Sequence, residues 1–174
     1  MDATSPSLAL PPDAPIAAGR LSGLVVGQLG PGEQFVLWAL RQRLGDEVGA
    51  ASPSLLRGFR LAFGLAEIEA ALAAFEGLFR ALLHGARPGE VDVLPLRSAC
   101  VSAGERAVLR LVVAAQAGER FLLEALADRL AEETAATGHL RDAAGSFARV
   151  LRRAELSLAP LPDAPVPPPS SALH

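Results

Sequence analysis

Chemistry in this chain would be expected first at Cys100, its only cysteine, in the stretch "SACVSAGE". Ser102 and Glu105 have the spacing of a capping box, so a helix is predicted to begin at Ser102. A thiol near a helix N-terminus can be reactive, because the positive end of the helix dipole stabilises the thiolate. Cysteine is also among the residue types most often buried, and the neighbours of Cys100 are apolar. Cys100 is therefore a thiol candidate, with a structural role as the favoured interpretation.

A second candidate is a basic face on the last predicted helix, "HLRDAAGSFARVLRRAEL". Arg149, Arg152 and Arg153 are spaced by three and four residues, which puts them on one side of that helix. Such a face is typical of a DNA recognition helix, and also of a solvated helix whose cations complement its C-terminal dipole. The net charge of −3 argues against a general polyanion binder. Nucleic-acid binding is accordingly the less favoured interpretation.

Trp38, the only tryptophan, lies in "FVLWALRQ" and suits either a core anchor or an exposed interaction residue; the core is favoured. A metal site would have to combine Cys100 with His84 and His139, and none of these has a partner at a metal-ligand spacing. No phosphate-binding loop and no nucleophile elbow is present. The sequence therefore predicts no metal and no cofactor, and it offers no reason to assert an enzyme.

The composition predicts a helical protein of the cytoplasm. Of the 174 residues 51% are hydrophobic, mainly alanine and leucine, which favour helix over strand. Every stretch of about 18 residues contains a charge, so no membrane span is expected. The N-terminal residues lack the basic and apolar regions of a signal peptide, and one cysteine cannot form a disulfide framework.

We predict an all-α fold in which a single compact bundle of five or six helices occupies residues 21–156. A nearly all-apolar helix at about 103–117 is expected at its centre, flanked by disordered Pro-rich tails at 1–20 and 157–174. Whether Gly118 breaks or bends the chain is left open, and Glu76 is expected to pair with Arg80 four residues later. The predicted helices span about 31–44, 53–64, 65–84, 102–117, 119–136 and 139–156.

The stretch "CVSAGERAVLRLVVAAQAGER" and the upstream run from Leu37 to Arg41, "LWALR", resemble a group of small all-helical bacterial proteins of uncharacterised function. These proteins share a Cys-x-x-x-x-Glu pattern at a helix start, followed by an apolar helix. The corresponding residues here are Cys100 and Glu105, within a match over about 31–131. The resemblance implies a shared role for Cys100 and Glu105 without naming that role.

The function predicted from the sequence is a non-enzymatic protein-interaction or regulatory module, whose partner is another protein or a second copy of the chain. Helical bundles commonly present a helix face or groove to a partner, and this chain is rich in apolar residues. Three alternatives stay open: a thiol or redox protein using Cys100, a DNA-binding regulator using the basic last helix, and a helical enzyme with a spatially assembled site.

Overall fold

Five α-helices and a two-stranded antiparallel sheet make up the part of the chain that the computed structural model describes, residues 21–46 and 51–161. The predicted all-α class is confirmed. The tail predicted at 1–20 and most of the tail predicted at 157–174 lie outside the described residues. The elements are β1 (Leu21–Val25), a 3-10 turn (Val26–Gln28), α1 (Pro31–Gly45), α2 (Pro53–Gly85), β2 (Cys100–Ser102), α3 (Ala103–Ala117), α4 (Arg120–Leu130) and α5 (Thr134–Arg153).

The second and third predicted helices are the two halves of α2, which is kinked at Gly64. The backbone of Gly64 has φ 71° and ψ 179°, a conformation that glycine reaches at little cost. The helical spacing in residues 53–64 predicts that Leu55, Leu56 and Phe59 share one face. Leu55 and Phe59 are buried, whereas Leu56 is exposed. Successive residues of a helix diverge by about 100°, so Leu56 cannot share the narrow inward face of Leu55.

Aromatic side chains join α1, α2 and α5 in the core. The Phe59 ring lies 5.2 Å from the rings of Phe35 and Phe75, measured between centroids, and the Phe75 ring lies 5.6 Å from that of Phe147. Phe59, Phe75 and Phe147 are fully buried. Trp38 is half-buried and packs its ring so closely on α2 that a side chain at Gly58 would collide with it. Trp38 therefore packs against the core.

Gly118 breaks the helix rather than bending it. Its φ of 76° is left-handed, and its N–H donates to the carbonyl of Ala114 as the cap of α3. A separate helix, α4, follows within two residues.

The junction between α4 and α5 lies earlier than predicted: α4 ends at Leu130 instead of near Ala136, and α5 begins at Thr134 instead of near His139. The cause is pairing with the end of α2. The N–H of Arg87 donates to the Leu130 carbonyl at 2.8 Å, and the N–H of Glu132 donates to the Gly85 carbonyl at 2.9 Å. These bonds take backbone groups that a longer α4 would use, and Gly138, expected to be the break, lies inside α5.

The sheet joins two strands that the sequence did not predict. β1 and β2 pair antiparallel, with Leu21 opposite Ser102 and Val25 opposite Cys100. The Ser22 hydroxyl adds a bond of 2.7 Å to the Val101 carbonyl. The sheet thereby fixes the chain directly before the start of α3.

Residues 155–161 follow α5 as a non-helical segment, which we call the C-terminal strap. The Gln116 side chain accepts from the N–H of Leu158 at 2.7 Å and donates to the Leu156 carbonyl at 2.9 Å. The buried Glu33 carboxylate accepts from the N–H of Ala159. The first residues of the predicted C-terminal tail thus lie against α1 and α3.

Replacing phenylalanine with alanine should lower the stability far more in the aromatic core than at the surface. Phe75→Ala should lower the free energy of unfolding by about 3–5 kcal/mol, because it leaves a cavity at the junction of α2 and α5. Phe121→Ala should change it by no more than about 0.5 kcal/mol, since Phe121 is 95% exposed. Urea unfolding of both variants measures the difference. Equal losses of unfolding free energy would contradict a core that is centred on Phe75.

Candidate functional site

The predicted capping box is present at the start of α3. The Ser102 hydroxyl accepts from the N–H of Glu105 at 2.9 Å, and the Glu105 carboxylate accepts from the N–H of Ser102, also at 2.9 Å. Both residues are fully buried. The sequence predicted this local geometry correctly because it depends on residues three positions apart.

The Glu105 carboxylate also binds an arginine from α1. Arg41 donates from Nε at 2.7 Å and from Nη2 at 2.9 Å, one bond to each carboxylate oxygen. Only 3% of the Arg41 side chain and none of the Glu105 side chain is exposed. The N–H of Leu94 adds a further bond to Glu105 Oε1 at 3.0 Å. A buried pair with this bidentate geometry is held in one position, because a buried charge without its partner is very costly.

Cys100 joins the same network through its backbone. Its carbonyl accepts from Arg41 Nη2 at 2.5 Å, and its N–H donates to the Ser98 hydroxyl at 3.3 Å. A further bond of 2.6 Å runs from Arg41 Nη1 to the Ser98 carbonyl. The thiol is free and half-buried. The backbone of Cys100 therefore has a structural role in which its sulfur atom takes no part.

The basic residues of α5 lie on the surface, as the helix pattern predicted. Arg149, Arg152 and Arg153 are all exposed. The side chain of Arg149 donates to the Ser146 hydroxyl at 3.0 Å, and that of Arg152 donates to the Gln116 carbonyl at 3.3 Å. Two of the three arginines thus bind groups of their own bundle.

The two histidines of the predicted helices line one shallow depression between α2 and α5. His84 and His139 are both exposed there, and Cys100 does not line it. Within residues 21–46 and 51–161, no group of three histidine, cysteine or acidic side chains has the arrangement of a metal site.

An apolar groove lies where the C-terminal ends of α1 and α2 meet the connection that follows α2. It encloses about 210 Å³. A second depression shares Leu44 and Val93 with it and extends the groove to Pro95 and Leu96. We call the combined surface the apolar groove. Its first part is lined chiefly by aliphatic and aromatic side chains, among them Leu40, Leu44, Phe79, Leu83, Val91 and Val93.

Three leucines of the groove are strongly exposed. The exposed fraction is 50% for Leu44, 60% for Leu83 and 46% for Leu96. Exposed apolar residues are ordinary when scattered, but a cluster around a concave surface typically marks a binding site. The groove can bury apolar side chains of another molecule.

The groove was not predicted from the sequence, although two signals for it are present there. Leu83 follows the inward-facing Leu82, so one of the two had to lie off the core face of α2. Val91 and Val93 alternate with the polar residues Glu90 and Asp92 in "EVDVL", as expected for an extended segment with one apolar face. Neither signal shows that these residues meet Leu44 from α1, because that contact depends on the tertiary fold.

Comparison of the chain with protein-family models, with curated proteins and with solved structures gives no match. The function is therefore argued from the geometry of the described residues. None of the helices among them is long and apolar enough to cross a membrane.

The buried ion pair predicts that replacing arginine with methionine lowers the stability more at residue 41 of α1 than at residue 43. Arg41→Met should destabilise the protein by about 3–5 kcal/mol, because it leaves the Glu105 carboxylate buried and unpaired. Arg43→Met should cost about 1 kcal/mol, since the Arg43–Glu76 pair, with N to O at 2.7 Å, is partly exposed. The same Arg43–Glu76 contact replaces the Glu76–Arg80 ion pair expected from the sequence.

Urea denaturation of both variants tests this prediction, with Arg41→Lys as a further comparison. Lysine keeps the charge but cannot make the two parallel bonds of a guanidinium, so Arg41→Lys should also be clearly destabilising. A stability of Arg41→Met equal to that of Arg43→Met would show that the buried pair does not hold α1 to α3.

Proposed function

We propose that this protein is a non-enzymatic protein-interaction module that binds a partner in the apolar groove. The observation that carries the proposal is the cluster of exposed leucines, Leu44, Leu83 and Leu96, around a concave apolar surface. Burying them on a partner would gain roughly 25 cal/mol for each Å² of apolar surface removed from water.

The lining of the groove supports a protein partner, because it offers apolar contact area along an open surface. The residues that line its first part supply apolar contact area and one cation, Arg87, with no nucleophile and no acid–base pair among them. Recognition of apolar side chains is therefore the activity that this surface supports.

The cytoplasm is the proposed location. The chain has one cysteine, whose thiol is free, whereas small secreted domains are typically rich in disulfides. The finding that no described helix could cross a membrane is compatible with this location.

Charge placed in the groove should abolish partner binding. A variant with Leu44→Glu and Leu83→Glu should lose the partner that co-purifies with a tagged wild-type chain from its native host at low salt, because two carboxylates would have to be buried on binding. The matched control combines Leu61→Glu with Leu65→Glu, which introduces the same two charges at residues of α2 that are 82% and 71% exposed and outside the groove. The control should retain the partner.

Intact masses of the eluted proteins identify the complex, and urea unfolding confirms that each variant is folded. A partner that binds all three proteins equally would contradict the groove as the binding site. A wild-type chain that elutes alone at every salt concentration would contradict the interaction function.

A further inference from the structure

Residues 91–94 form one wall of the apolar groove, and one backbone edge of this segment is hydrogen-bonded to residues at the start of α3. The Asp92 carbonyl accepts from the Ser102 hydroxyl, and the Asp92 carboxylate accepts from the N–H of Gly104 at 2.9 Å. Two residues on, the N–H of Leu94 donates to the Glu105 carboxylate at 3.0 Å. Alternate residues of this segment thus bind the start of α3.

The intervening residues, Val91 and Val93, present the opposite edge. In an extended chain the N–H and C=O of one residue lie on the same edge, and the next residue uses the other edge. Val91 and Val93 therefore face away from α3, and no backbone–backbone hydrogen bond joins either of them to another described residue. Their side chains line the apolar groove. The edge offers two N–H and two C=O groups beside an apolar surface.

We propose that the partner binds as an extended peptide that adds a strand to the Val91–Val93 edge, places alternate apolar side chains in the groove and carries carboxylates at its flanks. This inference rests on the proposed function, since it assigns a binding mode and a partner class to the same groove. Strand addition supplies affinity through backbone bonds, and pockets beside the edge select the side chains.

The alternation of the strand fixes which partner side chains enter the groove. The partner residues that exchange bonds with Val91 and Val93 lie two positions apart, and their side chains point to the same face as the two valines. That face is the groove, with Leu44 and Leu83 on its far side. The partner is therefore apolar at two alternate positions.

The charges at the two ends of the segment favour acidic flanks. Arg87 and Arg97 are both exposed, and neither has an ion pair with a carboxylate in the described ranges. Arg87 is held in place by its bond of 2.5 Å to the Ala131 carbonyl. A carboxylate at each end of the added strand would meet one of these cations.

The same charges disfavour a second copy of the chain as the occupant. Antiparallel pairing that uses both valines places Val91 of one copy opposite Val93 of the other, so the Arg87 end of one segment comes near the Arg97 end of the other. Like charges that are brought near one another repel and disfavour the pair.

The other registers of self-pairing each lose a bonding position. A shift by two residues in one direction brings Pro95 to the edge, which has no N–H to donate. A shift in the other direction brings Gly89, which lies in a turn with φ 80° and not in an extended conformation. The geometry therefore points to a different chain as partner.

The binding mode is tested with a fluorescent synthetic peptide of alternating valine and threonine residues with a glutamate at each end, using anisotropy and the full chain. Two N-methylated forms provide matched controls that leave the protein unchanged. Methylation of the N–H groups on the edge that pairs with the protein should abolish binding, and methylation on the opposite edge should leave it intact. Lysine at both ends of the peptide should weaken binding at least fivefold.

Variants of the protein at Val93 and Arg97 test the same edge without any change to the peptide. Val93→Pro should reduce the affinity for the peptide at least tenfold, because it removes one N–H from the edge. Val93→Thr retains that N–H and the β-branched shape, and should bind within about twofold of wild type. Arg97→Ala should weaken binding of the glutamate-flanked peptide by about two- to fivefold, the range expected for an exposed ion pair.

The outcomes separate this inference from the proposed function. Equal binding of both N-methylated peptides, with loss in the Leu44→Glu and Leu83→Glu variant, would overturn strand addition and leave groove binding in place. No binding of the peptide up to its solubility limit would also overturn strand addition, while the co-purified partner still tests the groove. Concentration-dependent dimerisation that Val93→Pro abolishes would establish a second copy as the occupant and overturn the heterologous peptide.

Discussion

The bidentate ion pair between Arg41 and Glu105 is the interaction on which the arrangement of the other elements around α3 depends. Moving two charges out of water costs several kcal/mol for each ion, and only complete hydrogen bonding compensates for it. Here the guanidinium binds the carboxylate and two backbone carbonyls, while the carboxylate also binds the N–H groups of Leu94 and Ser102. One pair therefore fixes α1, β2, the start of α3 and the wall of the apolar groove relative to one another.

The opposite side of the groove is positioned by a different constraint, the backbone pairing of the end of α2 with the end of α4. The bonds between Gly85 and Glu132 and between Arg87 and Leu130 hold the chain as it leaves α2. Arg87 reinforces them from its side chain by donating to the Ala131 carbonyl. Because both ends of the connection 86–99 are held by buried or paired groups, Val91 and Val93 in its middle keep their place without pairing to another described strand.

The sequence predicted the features that depend on neighbours within a few residues, and it missed those that depend on distant ones. Helical periodicity predicted the two halves of α2, and the Ser102–Glu105 spacing predicted the capping box. No local pattern reveals that Glu105 pairs with Arg41, which is 64 positions away. Nor does any local pattern reveal that the five-residue strand β1 pairs with the three-residue strand β2. The junction of α4 and α5 was misplaced for the same reason, since glycine at 138 is a local signal and the pairing with α2 is not.

The Val91–Val93 edge, which pairs with no other strand among the residues that the structure describes, lies beside exposed leucines. Such an edge is normally an aggregation hazard, and the chain around it carries the devices that natural proteins use against it. The edge is short, and Pro95 ends it because proline has no N–H. Arg87 and Arg97 flank it, so two copies that pair at this edge bring like charges near one another. A surface whose only purpose was to be covered by its own chain would not need these devices. Their presence fits an edge that is kept accessible to a chosen partner and closed to copies of itself.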